Sequence, residues 1–276
     1  MLPLDRLDDA ALAPVRGVFA DIDDTLTTDG KLTAVAYGAL ASLSAAGLLV
    51  VPITGRPAGW CDHIARMWPV DAVVGENGAF YFAYDRAAHK LVKRFRDADP
   101  VRAAHRDRLA AVRDRILAEV PGAALASDQR YREADLAIDY CEDVTRLDAA
   151  AVDRIVAIMH AAGMTAKVSS IHVNGWFGVY DKLGMTKTLM QERFGVDLDA
   201  ERDRYVFAGD SPNDAPLFAY FPLSIGVANV RRFAARLEHA PAYVTAAESG
   251  AGFAELAERL LESRTPTPSL PLAGGG

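Results

Sequence analysis

The chain has 276 residues, 51% of them hydrophobic, with 37 acidic against 30 basic side chains and a net charge of -7. That length fits one large domain or two ordinary ones, and the apolar content excludes a disordered chain. The acidic balance offers no basic stripe for nucleic acid. No apolar run approaches the roughly 18 residues of a membrane span. The N-terminus carries acids and lacks a basic-then-apolar leader, so a cytoplasmic protein is expected. Cys61 and Cys141 fit no metal knuckle and are expected to be free thiols.

Short apolar runs ending in polar residues recur along the chain, as expected for parallel strands covered on both faces. The first is Val18-Phe19-Ala20, ending at Asp21. Residues 33–46 then read as a helix with Val35, Ala39, Leu43 and Ala46 on one face, stopped by Gly47. Apolar runs ending at Thr54 and Gly75 give two more strands. From Phe82 to Tyr180 the pattern changes. Helical stretches at 99–119 and 148–162 are flanked by strand candidates at 79–84, 90–95, 134–140, 165–169 and 171–179. In 134–140, Leu136, Ile138 and Tyr140 alternate with Asp135 and Asp139, which predicts a sheet with one wet face. A helix at 183–194 follows, stopped by Gly195, then strands ending at Asp210, Val227 and Thr245, and a last helix from Ser249 to Leu261. Alternating strands and helices predict an open α/β sheet. The expected division is a core of residues 1–81 and 182–262, an inserted α+β domain at 82–181, and a mobile Pro- and Gly-rich tail at 263–276.

In an open parallel sheet, ligands bind beyond the carboxyl ends of the strands, and four such ends carry suitable chemistry. Asp21, Asp23, Asp24 and Thr25 follow the first strand; extended backbone puts Asp21 and Asp23 on one face and Asp24 on the other. Clustered carboxylates repel unless a cation is present. Thr54-Gly55-Arg56 offers a hydroxyl and a close-approach backbone suited to a phosphate oxygen. Asp210 and Asp214 lie four residues apart, with Pro212 in the first helical turn between them. Oxygen ligands of this kind are what Mg²⁺ prefers. Lys182, between a strand and a helix, can neutralise a phosphate or an acidic nucleophile.

The ordered set Asp21-x-Asp23-x-Thr25, Thr54-Gly55-Arg56, Lys182 and Gly209-Asp210-x-x-Asn213-Asp214 resembles the four motifs of the haloacid dehalogenase superfamily. Within it the pattern is similar to phosphatases with a large α/β cap, such as sucrose-phosphate, trehalose-phosphate and mannosyl-3-phosphoglycerate phosphatases, and to phosphomannomutases. The motifs are 33, 128 and 28 residues apart, and only the middle interval has room for a further domain. Glu76-Asn77-Gly78-Ala79 also resembles this subgroup. The resemblance covers about residues 17–245 and implies a Rossmann-like parallel-sheet core with an inserted cap.

It further implies Mg²⁺-dependent hydrolysis of a small phosphate monoester, most naturally a sugar phosphate. Asp21 is then the nucleophile and Asp23 the acid and base. Lys182, Thr54, Gly55 and the backbone N–H groups after Asp21 hold phosphate. Asp21, the Asp23 carbonyl, Asp210 and Asp214 surround the metal, with Asn213 and Ser211 behind them. A phosphomutase of the same superfamily is the alternative, and a phospho-accepting signalling or binding protein is the alternative from another class. Many relatives have Gly where Asp24 stands, and Lys187 competes with Lys182 as the motif lysine. In the cap, His172 and Asn174 are substrate candidates; Asp128, Arg130, Arg132 and Glu133 are looser ones. Trp176 is expected to pack, Arg56 to support its loop, Tyr81, Phe82 and Tyr84 to pack at a hinge, and Cys61 to be an inert core thiol.

Overall fold

The computed structural model describes residues 1–169 and 171–264. Most of the expected tail, 265–276, lies outside these. Its first residues, Ser263 and Arg264, close the helix Ser249–Glu262, and Arg264 donates to the Val15 carbonyl at 2.7 Å.

The central sheet has six parallel strands in the order Leu2–Pro3, Tyr243–Val244, Leu223–Gly226, Tyr205–Gly209, Gly17–Ala20, Leu49–Pro52. Both faces are covered, which is why its strands are apolar throughout rather than alternating. Val18, Ala20, Val206 and Ala208 pack with the helices Ala34–Ala45, Ala58–Met67 and Ser249–Glu262. Phe19, Val51 and Phe207 pack on the other side against Lys182–Phe194 and Ala215–Tyr220. Each fully buried large aliphatic or aromatic side chain contributes about 1.5–3 kcal/mol.

The first long helix runs over Ala34–Ala45, its N-cap Thr33 accepting from Ala36 N and Gly47 following at φ 76°. Its buried stripe is Ala36, Ala39, Leu40 and Leu43, while Val35 is 52% exposed. The apolar face therefore lies about one residue round from the expected one. Positions 36, 40 and 43 stack at the 3.6-residue period under the last helix, and Val35 falls outside the stripe.

Strands Phe80–Asp85 and Lys90–Phe95 form an antiparallel sheet with Val73–Gly75, and Phe80 and Phe82 join the core cluster around Val18. This hairpin thus runs across the expected boundary at 81/82 and packs with the first domain. A second antiparallel sheet has the order Thr165–Val168, His172–Trp176, Asp135–Asp139, Ala124–Leu125. Helices Asp99–Glu119 and Ala149–Ala161 cover one of its faces, where Leu136, Ile138 and Val173 meet Ile116 and Ile155.

The other face corrects the expectation of a wet sheet. Every residue of Asp135–Asp139 is buried, with Asp135 and Asp139 each 1% exposed. Asp135 pairs with Arg132, and Asp139 accepts the backbone N–H groups of Cys141, Glu142 and Asp143. Polar alternation here marks a face turned toward the parallel-sheet core, not toward water. Among the described residues, no helix is long and apolar enough to cross a membrane.

Candidate active site

Adjacent parallel strands bring distant segments together at one sheet edge. Gly17–Ala20 pairs in register with Tyr205–Gly209, and Asp21 N donates to the Ala208 carbonyl at 2.9 Å, so Asp21 and Asp210 leave neighbouring strand ends. The turn Ser211–Asp214 folds Asp214 back, its Oδ2 accepting from Asp210 N at 3.1 Å and Ser211 N at 3.3 Å. Gly209 is required by that turn, because a Cβ there would stand 2.6 Å from Asp214 Oδ2. Lys182, first residue of its helix, places Nζ 2.8 Å from both Asp21 Oδ1 and Asp214 Oδ1. Thr25 Oγ1 donates to Asp210 at 3.1 Å, and Asn229 Nδ2 donates to Asp210 at 3.3 Å and to the Asp24 carbonyl at 2.9 Å. That last bond lies beside Asp24's left-handed backbone, φ 56°.

Asp21, Asp210 and Asp214 are all buried, and each offers a carboxylate oxygen within 4.8 Å of the other two. Burial, opposed by Lys182 and reinforced by Asp214 and Asp23, pushes the Asp21 carboxyl up to about 7. Burial and then Asp214 and Asp21 push Asp210 well above the carboxylate range. Lys182 is pulled upward by Asp21 and Asp214 despite its own burial. One ammonium against three buried carboxylates leaves negative charge uncompensated, and an all-oxygen donor set suits a hard divalent cation. These residues fit Mg²⁺.

Asp23 meets a partner that its neighbours in sequence do not disclose. Arg56 Nε donates to both its oxygens, at 2.9 and 3.0 Å. The same guanidinium donates to Glu142 Oε1 at 3.1 Å and approaches Asp128 at 3.6 Å. Glu142 Oε2 lies 2.8 Å from His172 Nε2. His172 and Arg56 together hold the Glu142 carboxyl down at about 2. Arg132 donates to Asp128, to Asp135 and to the Gly55 carbonyl at 2.9 Å. Asn174 Nδ2 donates to Asp135 at 3.0 Å. Arg56, expected only to support its loop, instead ties the strand-end acids to the second sheet.

Glu76 is a further tie. Its buried carboxylate accepts from Ala58 N at 3.0 Å, Glu133 N at 2.9 Å and Ala134 N at 2.6 Å. Burial, then Asp135, push its carboxyl up to about 8, with Arg132 and these N–H bonds pulling the other way. The turn it opens has three successive positive φ values, 43° at Glu76, 54° at Asn77 and 105° at Gly78. A Cβ on Gly78 would stand 2.0 Å from the Asp181 carbonyl, so this turn seats directly against the start of the Lys182 helix.

The chamber between the two walls is lined by Asp21, Asp23, Gly55, Arg56, Arg132, His172, Asn174, Ser211 and Asn213. Its free volume is about 10 Å³, enough for one water at most. A larger cleft, about 960 Å³, opens elsewhere between the helix Ala58–Met67 and Tyr131, and includes Arg130 and Glu133 but none of the clustered acids. Thr54 is buried beside Gly55, its Oγ1 accepting from Arg56 N at 3.0 Å, and Ser211 Oγ donates to Asn213 at 2.6 Å. Lys187 is outside the cluster, paired with Asp199. Trp176 is 1% exposed and stacked on Tyr180. Tyr81 donates to Glu192, and Tyr84 lies under Arg66. Cys61 is a fully buried thiol pushed upward by burial, and neither it nor Cys141 is in a disulfide. Asn229 and Glu142 are not among the residues the sequence singles out. The strand-end rule that found Asp210 also reaches Asn229, three residues past Leu223–Gly226; nothing local distinguishes Glu142.

This fold, with its acid cluster at the strand ends, is similar to that of haloacid dehalogenase-like hydrolases. A sequence profile of haloacid dehalogenase-like hydrolases matches residues 18–104. A protein of Thermoplasma acidophilum shares the fold at 18% identity and TM-score 0.66, over 90% of this chain and 98% of that one. Sucrose-phosphatase from Synechocystis, solved with sucrose and phosphate, does so at 13% identity and TM-score 0.62, over 89% and 98%. A sugar phosphatase of haloacid dehalogenase subclass IIB aligns at 14% identity and TM-score 0.55, over 84% and 93%. A search of curated proteins finds no match in sequence.

Proposed function

We propose that the chain hydrolyses a phosphate monoester, a sugar phosphate, through a phospho-aspartate on Asp21. The observation that carries this reading is the convergence of Asp21, Lys182, Asp210 and Asp214 at adjacent strand ends, with Asp21 and Asp214 sharing one ammonium. The sugar-phosphate part draws on the phosphatases among the structural neighbours.

An Asp21 oxygen attacks phosphorus, splitting one hard displacement into two. Lys182 and the backbone around Gly55 bind the phosphoryl oxygens, with Thr54 holding the loop through Arg56 N. Asp21, Asp210, Asp214 and the Asp23 carbonyl would hold Mg²⁺, which when bound offsets the charge of phosphate and carboxylates. Thr25 and Asn229 fix the orientation of Asp210. Asp23 protonates the leaving alcohol and then takes a proton from the attacking water. It cannot donate while both its oxygens accept from Arg56, so the arginine has to shift before Asp23 acts. A chamber of about 10 Å³ admits no sugar, so the second-sheet wall moves away for entry and returns to exclude water.

Phosphate release across mono- and disaccharide phosphates, with and without a chelator, tests the reading. Free inorganic phosphate that requires Mg²⁺ is expected. An isomeric ester in place of free phosphate points to a mutase, and no turnover of any ester overturns the proposal.

A further inference from the structure

Charge on the wall facing the strand ends is distributed unevenly. Two guanidiniums border the chamber, and both are already shared out. Arg56, buried, is divided among Asp23, Glu142 and Asp128. Arg132 is divided among Asp128, Asp135 and the Gly55 carbonyl. His172 faces Glu142 and Asn174 faces Asp135. Lys182 is not on this wall, being held by Asp21 and Asp214. Acids therefore outnumber fixed cations where a leaving group has to sit.

We propose, building on the phosphatase reading above, that this wall admits an uncharged, hydroxyl-bearing leaving group and rejects one carrying a carboxylate, with Glu142 as the specificity-determining residue. A hydroxyl can accept from Arg56 and donate to a carboxylate without stripping either from its partner. An incoming carboxylate competes with Glu142 and Asp128 for the same guanidinium, and wherever it wins it draws that cation away from an acid paired with it. Glu142 exerts this control because it joins two chamber-lining side chains, Arg56, which holds Asp23, and His172 of the second sheet. It acts through them, as a positioning residue and as fixed negative charge.

The test uses esters matched in size and differing in one carboxylate: glucitol 6-phosphate against 6-phosphogluconate, and glycerol 3-phosphate against 3-phosphoglycerate. The full chain with Mg²⁺ is expected to favour the uncharged member of each pair by about tenfold or more in kcat/KM. Glu142→Gln, which keeps an oxygen and an N–H but loses the charge, is expected to narrow that ratio by about tenfold. A merely structural role would lower both members together and leave the ratio unchanged. Equal or preferred turnover of the carboxylated esters, or a ratio that Glu142→Gln leaves as it was, overturns the inference while the phosphatase reading stands. Turnover of no ester at all overturns that reading first, and this inference with it.

Discussion

The two walls of the chamber are built on different physical principles. The strand-end wall takes Asp21, Thr54 and Asp210 from three neighbouring or adjoining strands whose register fixes their positions to within a hydrogen bond. Its polar groups hang from a sheet buried on both faces, so their surroundings are rigid and dry. The opposite wall takes Arg132, Glu142 and His172 from a loop, a turn and a strand of the second sheet. It is held to the first by ion pairs through Arg56 and by backbone N–H groups on Glu76. In the proposed reaction, rigid packing suits the wall where phosphorus would react, and separable polar ties suit the wall that would part for substrate.

Substitutions that act on one wall only would sharpen this contrast. On the strand-end wall, Asp21→Asn is expected to lower phosphate release by more than about a thousandfold with an unchanged circular dichroism spectrum, since the amide is nearly isosteric but a poor nucleophile. Substantial residual turnover would move the nucleophile elsewhere. Lys182→Met should cost nearly as much, because Asp21 and Asp214 then face each other without their shared ammonium.

A tie between the walls should affect stability first. Glu76→Ala leaves the buried N–H groups of Ala58, Glu133 and Ala134 without their acceptor, at about 1–3 kcal/mol each. A melting temperature lowered by several degrees is expected in calorimetry, and an unchanged one would mean that the tie is dispensable.

A weaker effect is expected at Glu142, whose carboxyl is held down to about 2 by His172 and Arg56. An acid lowered in the folded state contributes stability above its unfolded value, about 4.3, and loses it as pH falls through the folded one. The stability difference between the parent and Glu142→Gln, read by urea unfolding, should therefore shrink as pH falls from about 5 toward 2. A difference that grows on acidification would contradict the ion pairs. The smallest effect belongs to Lys187→Ala. Its partner Asp199 is on the surface, so stability should change by about 1 kcal/mol or less and phosphate release not at all. Loss of activity there would reopen the choice of motif lysine.

The parallel sheet could be read from sequence because burial on both faces forces uninterrupted apolar runs, and the polar residue ending each run marks where ligands bind. That rule singles out Asp21, Thr54 and Asp210 as candidates, whereas Lys182 follows a strand of the antiparallel second sheet and joins the set through the resemblance. The apolar stripe of Ala34–Ala45 was placed one residue off, since the partner helix decides which residues of a broad apolar face are covered. Asp135 and Asp139 were assigned to water because alternation reports two unlike faces and not what each one meets. Arg56 is 33 residues from Asp23 and 86 from Glu142 in the chain, and no local pattern links them.

The sequence by itself determined the fold class and the chemistry of the strand ends, because strand periodicity and chain termination at a sheet edge are local consequences of burial. Only the tertiary structure decided which acids share which cation, and that the polar face of the second sheet closes over the first. Charge partners are selected by distance in space, and a buried carboxylate takes whatever counter-charge the packing of remote segments brings within about 3 Å.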